Sequence, residues 1–333
     1  MRSIDQTPDA PGLDADLLTR VYHLVSLTRA VDERLWVLSR QGRAGFVLTA
    51  RGHEVAQVAS ALAVRIGVDS AWLYYRDLGV GLTLGVTPYE IFLGALAKAT
   101  DPHSGGRQLT AHFSSRKLRI GSISSEVGAH LPHAVGAAYA ARVLGQDSVA
   151  VCWFGDGASS EGATHEAMNI AAVHRLPVVF ICENNGYAIS VPESMQMAAP
   201  VAARAGGYGM PGSTLDGTDL DAVHGAAAAA VDRARAGHGP SLLELRVPRL
   251  VPHSSQDDEK YRSDADRAEA GARDPLVRLR GRLVDVGLMN AVELDAVDAA
   301  VREQVRADAE RALGAPDPEP ARARRWLHAG DDR

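Results

Sequence analysis

Residues 149–190, VAVCWFGDGASSEGATHEAMNIAAVHRLPVVFICENNGYAIS, constrain the fold of this chain more than any other stretch. An apolar run ends in Gly155-Asp156-Gly157. A segment with helical spacing follows, and a second apolar run, residues 178–182, leads into Glu183 and the amide pair Asn184-Asn185. Strand, acidic glycine turn, helix and strand make a unit whose two strands lie parallel and side by side. Asp156 and Asn185 then stand at the ends of neighbouring parallel strands, where open α/β sheets bind ligands. A carboxylate and an amide oxygen at that place suit a hard divalent cation such as magnesium, which takes few protein ligands and completes its octahedron with water and phosphates. The glycines allow the backbone to approach a diphosphate closely, and the start of the following helix offers it free N–H groups. GDG alone is common in turns. The conjunction with a helix and a second strand ending in two asparagines makes the pattern specific.

The rest of the chain continues the alternation. Residues 17–40 have helical apolar spacing at Leu17, Leu18, Val21, Leu24, Val25 and Leu27, and residues 54–64 read as another helix. Residues 70–75 are strand-like. Thr87-Pro88 opens a helix running to Leu96, with proline in its first turn. Residues 101–121 form a polar, glycine-bearing loop of a length that is usually functional. Helix is expected over 127–144, irregular glycine-rich chain over 198–212, helix over 219–235, strand over 242–247, a polar loop over 253–262 and two amphipathic helices over 275–313. This order predicts a doubly wound, mainly parallel α/β sheet flanked by helices, with N- and C-terminal helical extensions. No GxGxxG follows the first strand with an acidic residue about 20 positions on, which disfavours the dinucleotide-binding version. The expected divisions are a flexible tail over 1–14, a ligand-binding domain over 15–270, a helical extension of the same domain over 271–313 and a flexible tail over 314–333.

Composition narrows the function classes. A chain of 333 residues that is 46% hydrophobic supports a large core. Its net charge of −6, from 35 basic and 41 acidic residues, does not suit nucleic acid. No run approaches the ~20 apolar residues of a membrane span, and the polar N-terminus has no signal-peptide core, so a cytoplasmic location is expected. Cys152 and Cys182 both fall in apolar runs and read as small buried hydrophobes.

Further blocks join the GDG–NN unit: Ser39-Arg40-Gln41-Gly42-Arg43, Tyr75-Arg76-Asp77, Gly106-Arg107-Gln108, PHAVGAAYAA over 132–141, and His253-Ser254. In these blocks and in their order, over roughly residues 20–310, the chain resembles the alpha subunit of the thiamin-diphosphate-dependent 2-oxo acid dehydrogenase decarboxylating component. The resemblance implies the thiamin-diphosphate-binding fold, with magnesium held by the side-chain oxygens of Asp156 and Asn185 and the backbone carbonyl of Tyr187. It places the diphosphate against the turn of Gly155, Asp156, Gly157 and Ala158, with Gly157 and Ala158 donating N–H groups. Tyr75 and Arg76 match the family's diphosphate pair, since a guanidinium suits two phosphate oxygens. Ser124, Ser125 and Val127 match the block that meets the aminopyrimidine and bends the cofactor. His253 matches the catalytic histidine of a mobile loop lying over the diphosphate, and the position of Ser254 is phosphorylated in some animal relatives. Arg107 and His112 are expected at the edge of the substrate channel. Without the resemblance, Arg76 reads as a surface ion-pair partner, His253 as a solvent-facing loop residue and Tyr187 as a packing aromatic.

The activity implied is decarboxylation of a 2-oxo acid and transfer of the acyl group to a lipoyl arm on an acyltransferase component. Thiamin diphosphate supplies the difficult chemistry and the protein anchors and bends it. The glutamate that activates the aminopyrimidine belongs to a beta subunit in this family, which implies an α2β2 heterotetramer. Gly106-Arg107-Gln108, Ile123-Ser124-Ser125 and residues 185–190 lie nearer the branched-chain type, of branched-chain amino acid catabolism, than the pyruvate type. Glu183, Leu48, His130 and His133 depart from familiar patterns and bear on the acyl substrate. Pyruvate and acetoin dehydrogenases are the alternatives within the family; a non-catalytic scaffolding paralogue is the alternative outside it.

Overall fold

Apolar runs bounded by glycine and proline form the centre of the molecule. In the computed structural model, which describes residues 13–324, they are β1 (Ser70–Trp72), β2 (Ala150–Gly155), β3 (Val178–Asn184), β6 (Gly212–Asp216) and β7 (Ser241–Arg246); β4 (Tyr187–Ala188) and β5 (Val191–Pro192) make a separate hairpin. The main sheet has the order β1-β2-β3-β7-β6 and every pairing is parallel. Every residue of β3 is buried, as expected of a parallel strand covered on both faces. The period of two assigns alternate residues to two cores. Val151, Trp153, Val179, Ile181, Leu243 and Leu245 face one core, and Cys152, Phe154, Phe180, Cys182 and Leu242 face the other. The two cysteines are free and buried, as their apolar context predicted.

The first core is covered by α1 (Ala15–Arg40), α2 (Glu54–Ala61), α3 (Leu78–Leu84), α4 (Pro88–Ala95) and α8 (Leu220–Arg235). The second is covered by α5 (His130–Val143), α6 (Gly162–Val173) and a 3-10 helix, Val201–Tyr208. The hairpin leads into α7 (Glu193–Gln196), and the chain closes with α9 (Asp264–Ala272), α10 (Pro275–Asp285) and α11 (Ala291–Leu313). Helix α11 packs on α1 and α4 through Leu294, Val301, Val305, Ala309 and Ala312. No helix among the described residues is long and apolar enough to cross a membrane.

Several boundaries differ from expectation for local reasons. Helix α5 starts at His130 rather than 127, because Gly128 takes φ +80°. The stretch expected to be irregular over 198–212 holds the 3-10 helix, ended by Gly209 at φ +72°, and then β6. Helices α3 and α9 were not read. The α3 sequence LGVGLTL carries two glycines, which weaken a helix by roughly 1 kcal/mol each, yet packing demands them. A Cβ at Gly79 would sit 2.9 Å from Gln57 Oε1, and one at Gly81 2.8 Å from the Phe113 ring. Of the expected tails, residues 1–12 and 325–333 lie outside the described residues. Past Gly314 the chain is fastened rather than loose: Pro316 O accepts from Ala99 N at 2.9 Å and Asp317 pairs with Lys98 at 2.7 Å.

One turn ties the N-terminal half to the functional end of the sheet. Gly52 has φ +96°, and a Cβ there would lie 1.8 Å from Pro248 O, a backbone atom. Strain and clash combine, so Gly52→Ala is expected to cost about 3 kcal/mol or more, read as a lower denaturation midpoint at unchanged slope. A loss below about 1 kcal/mol would mean that the segment around residue 248 yields.

Candidate active site

The register of β2 and β3 pairs Gly155 with Glu183, so the two strands end at the same level. Beyond Gly155 the chain turns into a short 3-10 helix, Asp156–Ser160, which stands where the sequence suggested that α6 would begin. Beyond Asn184 it turns through Asn185 into the β4–β5 hairpin. A cleft of about 790 Å³ of empty space lies between these two exits. Gly155, Asp156, Gly157, Ala158, Asn185 and Tyr187 line it on this side. Tyr75, Arg76, Ser124, Val127 and His253 line it from other parts of the chain. Ser125 does not; its hydroxyl is hydrogen-bonded to His112 Nε2 beside the cleft.

Asp156 is 1% exposed and forms no ion pair among the described residues. Burial pushes its carboxyl above the ordinary value, and donation from Gln196 Nε2 at 3.0 Å opposes this. A buried carboxylate without a cation is costly, and a bound divalent cation removes the cost. No group of three or more His, Cys, Asp or Glu side chains is placed to hold a metal among the described residues. A cation here would draw on the Asp156 carboxylate, the Asn185 amide oxygen and the Tyr187 carbonyl, the ligands that the resemblance implies and all on residues lining the cleft. Such an all-oxygen set fits magnesium together with a diphosphate. Gly157 packs closely against the hairpin, since a Cβ there would lie 3.0 Å from Ala188 Cβ.

Tyr187 also packs. Its ring lies 5.1 and 5.4 Å from the guanidinium carbons of Arg249 and Arg262, and its hydroxyl donates to Asp266 Oδ2 at 3.3 Å. Arg249 donates to Ile189 O at 2.9 Å and so fastens the hairpin turn, where Ile189 adopts φ +54°. A β-branched residue in that region is strained.

Arg76 is 2% exposed rather than a surface residue. Its Nη1 donates to Thr49 O and its Nη2 to His253 Nδ1 at 3.1 Å, and its guanidinium lies 5.6 Å from the Tyr75 ring centroid. Arginine only donates, so His253 Nδ1 accepts and the histidine proton sits on Nε2. Burial, with Arg76 and Arg249 nearby, pushes the His253 pKa from 6.5 down to about 3. A neutral His253 contributes stability that is fully present above its unfolded value and is lost as pH falls through the folded one. Thermal midpoints should therefore fall more steeply for the wild type than for His253→Asn between about pH 6.5 and pH 4. Parallel profiles would mean that His253 protonates normally.

Other expected residues lie elsewhere. Arg107 and His112 do not line the cleft; Arg107 Nε donates to Ser104 O within its own loop. Leu48 is buried and bridges Ser254 through the backbone, beside His253. His133 is exposed outside the cleft, whereas His130 lines it and is hydrogen-bonded to Trp153 O at 2.7 Å. Glu183 lies beneath the cleft. It accepts from Tyr74 Oη and Gln57 Nε2, each at 3.0 Å, next to Asp77. Burial raises Glu183 to about 7 and Asp77 well above its ordinary value, so this pair holds a proton. Cleft residues that the sequence did not single out include Tyr74, Phe154 and two rim carboxylates, Glu126 and Glu161. Glu161 belongs to the diphosphate-side unit and lines the cleft at its rim.

The dehydrogenase E1 component family model matches residues 22–321. Over 300 residues the chain is 44% identical to 2-oxoisovalerate dehydrogenase subunit alpha of Bacillus subtilis (strain 168), covering 88% of this chain and 91% of the relative. It is 41% identical over 293 residues to 3-methyl-2-oxobutanoate dehydrogenase subunit alpha of Mycobacterium tuberculosis (strain ATCC 25618 / H37Rv), covering 85% and 76%. To the mitochondrial 2-oxoisovalerate dehydrogenase subunit alpha of Homo sapiens it is 36% identical over 313 residues, covering 93% and 70%.

Proposed function

The chain belongs to the dehydrogenase E1 component family as the alpha subunit of a 2-oxo acid dehydrogenase, and from that premise we propose its full activity. With a beta subunit, in an α2β2 assembly, it decarboxylates a branched-chain 2-oxo acid on magnesium-bound thiamin diphosphate. The acyl group passes to a lipoylated acyltransferase. The observation that carries this reading is the buried Asp156 at the strand end, which has no ion-pair partner among the described residues and shares one cleft with Arg76 and His253. A scaffolding paralogue has no need of a carboxylate kept buried at such cost.

Thiamin diphosphate, when bound, supplies the carbon nucleophile and the electron sink. This chain's residues hold and orient it. Asp156, Asn185 and the Tyr187 carbonyl offer oxygens to magnesium. Arg76 is already fixed by Thr49 O and His253, so its remaining N–H groups are preorganised toward phosphate oxygens. His253 presents a neutral Nε2–H at the cleft, a donor that does not lose its proton near neutral pH. Val127 supplies an apolar wall.

The branched-chain preference rests on the named activities of the relatives. Glu183, one of the departures that bore on the acyl substrate, touches Tyr74 and Gln57 rather than the cleft, so its identity says little about the acyl group. A panel of 2-oxo acids together with acetoin, assayed on the chain co-purified with its beta subunit, tests the assignment. The kcat/KM for 2-oxoisovalerate should exceed that for pyruvate by roughly 10-fold or more, the scale set by one or two methyl groups in an apolar pocket. A preference for pyruvate or acetoin would reassign the substrate.

A further inference from the structure

Both side chains assigned to the cation carry two nearly equivalent ends, and only one end of each can serve. An asparagine amide that turns over presents N–H groups instead of oxygen. The neighbours of Asn185 decide the matter. Tyr187 N–H, which only donates, lies 3.2 Å from Oδ1. At the other end Nδ2 lies 3.2 Å from His53 Nε2, so that ring nitrogen accepts and the proton of the neutral ring sits on Nδ1. His53 is 0% exposed and its backbone is held on both sides, its N–H donating to Ala50 O and its carbonyl accepting from Gln57 N, each at 2.9 Å. The preceding residue, Gly52, packs its backbone directly against Pro248.

Asp156 is held with the opposite polarity. Gln196 Nε2 donates to Asp156 Oδ2 at 3.0 Å and to Val191 O at 3.1 Å. Both partners only accept, so the orientation of the Gln196 amide is determined as well. Gln196 ends α7, directly after the β4–β5 hairpin, and thus ties the hairpin that carries Tyr187 to the turn that carries Asp156.

We propose that His53 and Gln196 are positioning residues of the cation site: His53 occupies the Asn185 amide nitrogen and Gln196 occupies one Asp156 oxygen, so that each ligand presents a single defined oxygen to the metal. The proposal rests on Asp156 and Asn185 being the magnesium ligands. Supporting partners of metal ligands are worth roughly 10–100-fold in affinity.

The test is a titration of the apo complex with its beta subunit, at fixed thiamin diphosphate, with Mg²⁺ and separately with Mn²⁺, followed by intrinsic fluorescence and by the EPR signal of free Mn²⁺. His53→Leu and Gln196→Leu should each weaken metal binding roughly 10–100-fold. His53→Gln, whose side-chain oxygen accepts the same N–H, should restore it to within about 3-fold, a rescue that packing alone does not explain. Gln196→Leu alters a half-buried residue of α7 and keeps the test open if His53→Leu does not fold. Unchanged metal affinity in both leucine variants, while Asp156→Ala binds no metal, would overturn the proposal and leave the cation site standing. Unchanged affinity in Asp156→Ala would remove the cation site itself, and the proposal with it. A folded His53→Gln as weak as His53→Leu would overturn the role of His53.

Discussion

Asp156→Ala is expected to abolish magnesium-dependent binding of thiamin diphosphate, and with it turnover, while the apo protein becomes more stable. The two effects have one cause. Asp156 is buried with no cationic partner among the described residues, so the apo protein bears its desolvation and the cation relieves it. The other proposed ligands are neutral oxygens, which leaves Asp156 as the one formal protein charge on the metal. Its loss should weaken metal binding by more than the roughly 100-fold upper end seen when a ligand merely loses its supporting partner. Apo stability should rise by about 1–3 kcal/mol, the usual direction when a functional site gives up a buried charge. Gln196 is only half-buried, so its freed N–H turns to water. Metal titration and chemical denaturation of the same preparation measure both. Near-wild-type activity would remove the central assignment. Lost binding in an apo protein that is also less stable would mean that Asp156 holds the turn together rather than waiting for a cation.

By itself the chain is expected to turn over no 2-oxo acid, and to gain activity when a beta subunit is added. Activating the aminopyrimidine needs a carboxylic acid within roughly 2.6–3.2 Å of the ring, a contribution of about 10²–10⁴ in rate. The carboxylates of this chain near the cleft are otherwise engaged or poorly held. Asp156 is the proposed cation ligand, Glu183 is buried beneath the floor with Asp77, and Glu126 and Glu161 stand exposed at the rim. Val127 and Ile189, which line the cleft, are exposed, and so are Val191 in the adjoining hairpin and Met195 in α7, the last by 78%. Apolar residues beside a half-open cofactor cleft are what an obligate partner covers. In the reconstituted complex Glu126→Gln and Glu161→Gln should each keep activity within about 10-fold of the wild type, well short of the loss expected of the general acid. Steady-state decarboxylation with and without the partner decides the point. Turnover by the monodisperse chain alone, or loss of turnover in either rim variant, would move the acid into this chain.

The elements legible in the sequence are those whose signals are local. Thr87-Pro88 opened α4 with a full capping box to Glu90, Asp219 capped α8, and the apolar runs around GDG and NN became neighbouring parallel strands with Asp156 and Asn185 at one end. Periodicity, caps and strand-end motifs act over a few residues, and the chain's own stereochemistry enforces them. Helix α9 also carried its signal, the capping box of Ser263 and Asp266, and that signal was missed. Helix α3 carried none: its glycines argue against a helix until Gln57 and Phe113 are seen pressing on them.

The same division runs through the site. From the sequence alone came the fold class, the motif that marks the strand ends and, by resemblance, the diphosphate-side residues from Tyr75 to His253. Tertiary structure alone decided that Ser125, Arg107 and His112 lie outside the cleft, that Glu183 lies under it and that Glu161 lines it. It alone brought His53 to Asn185 across 132 residues and Gln196 to Asp156 across 40. Such contacts depend on strand register, on the Gly52 turn and on a hairpin folding back. No local propensity or spacing encodes them, because the hydrogen bond between two distant side chains exists only once the packing around both is complete.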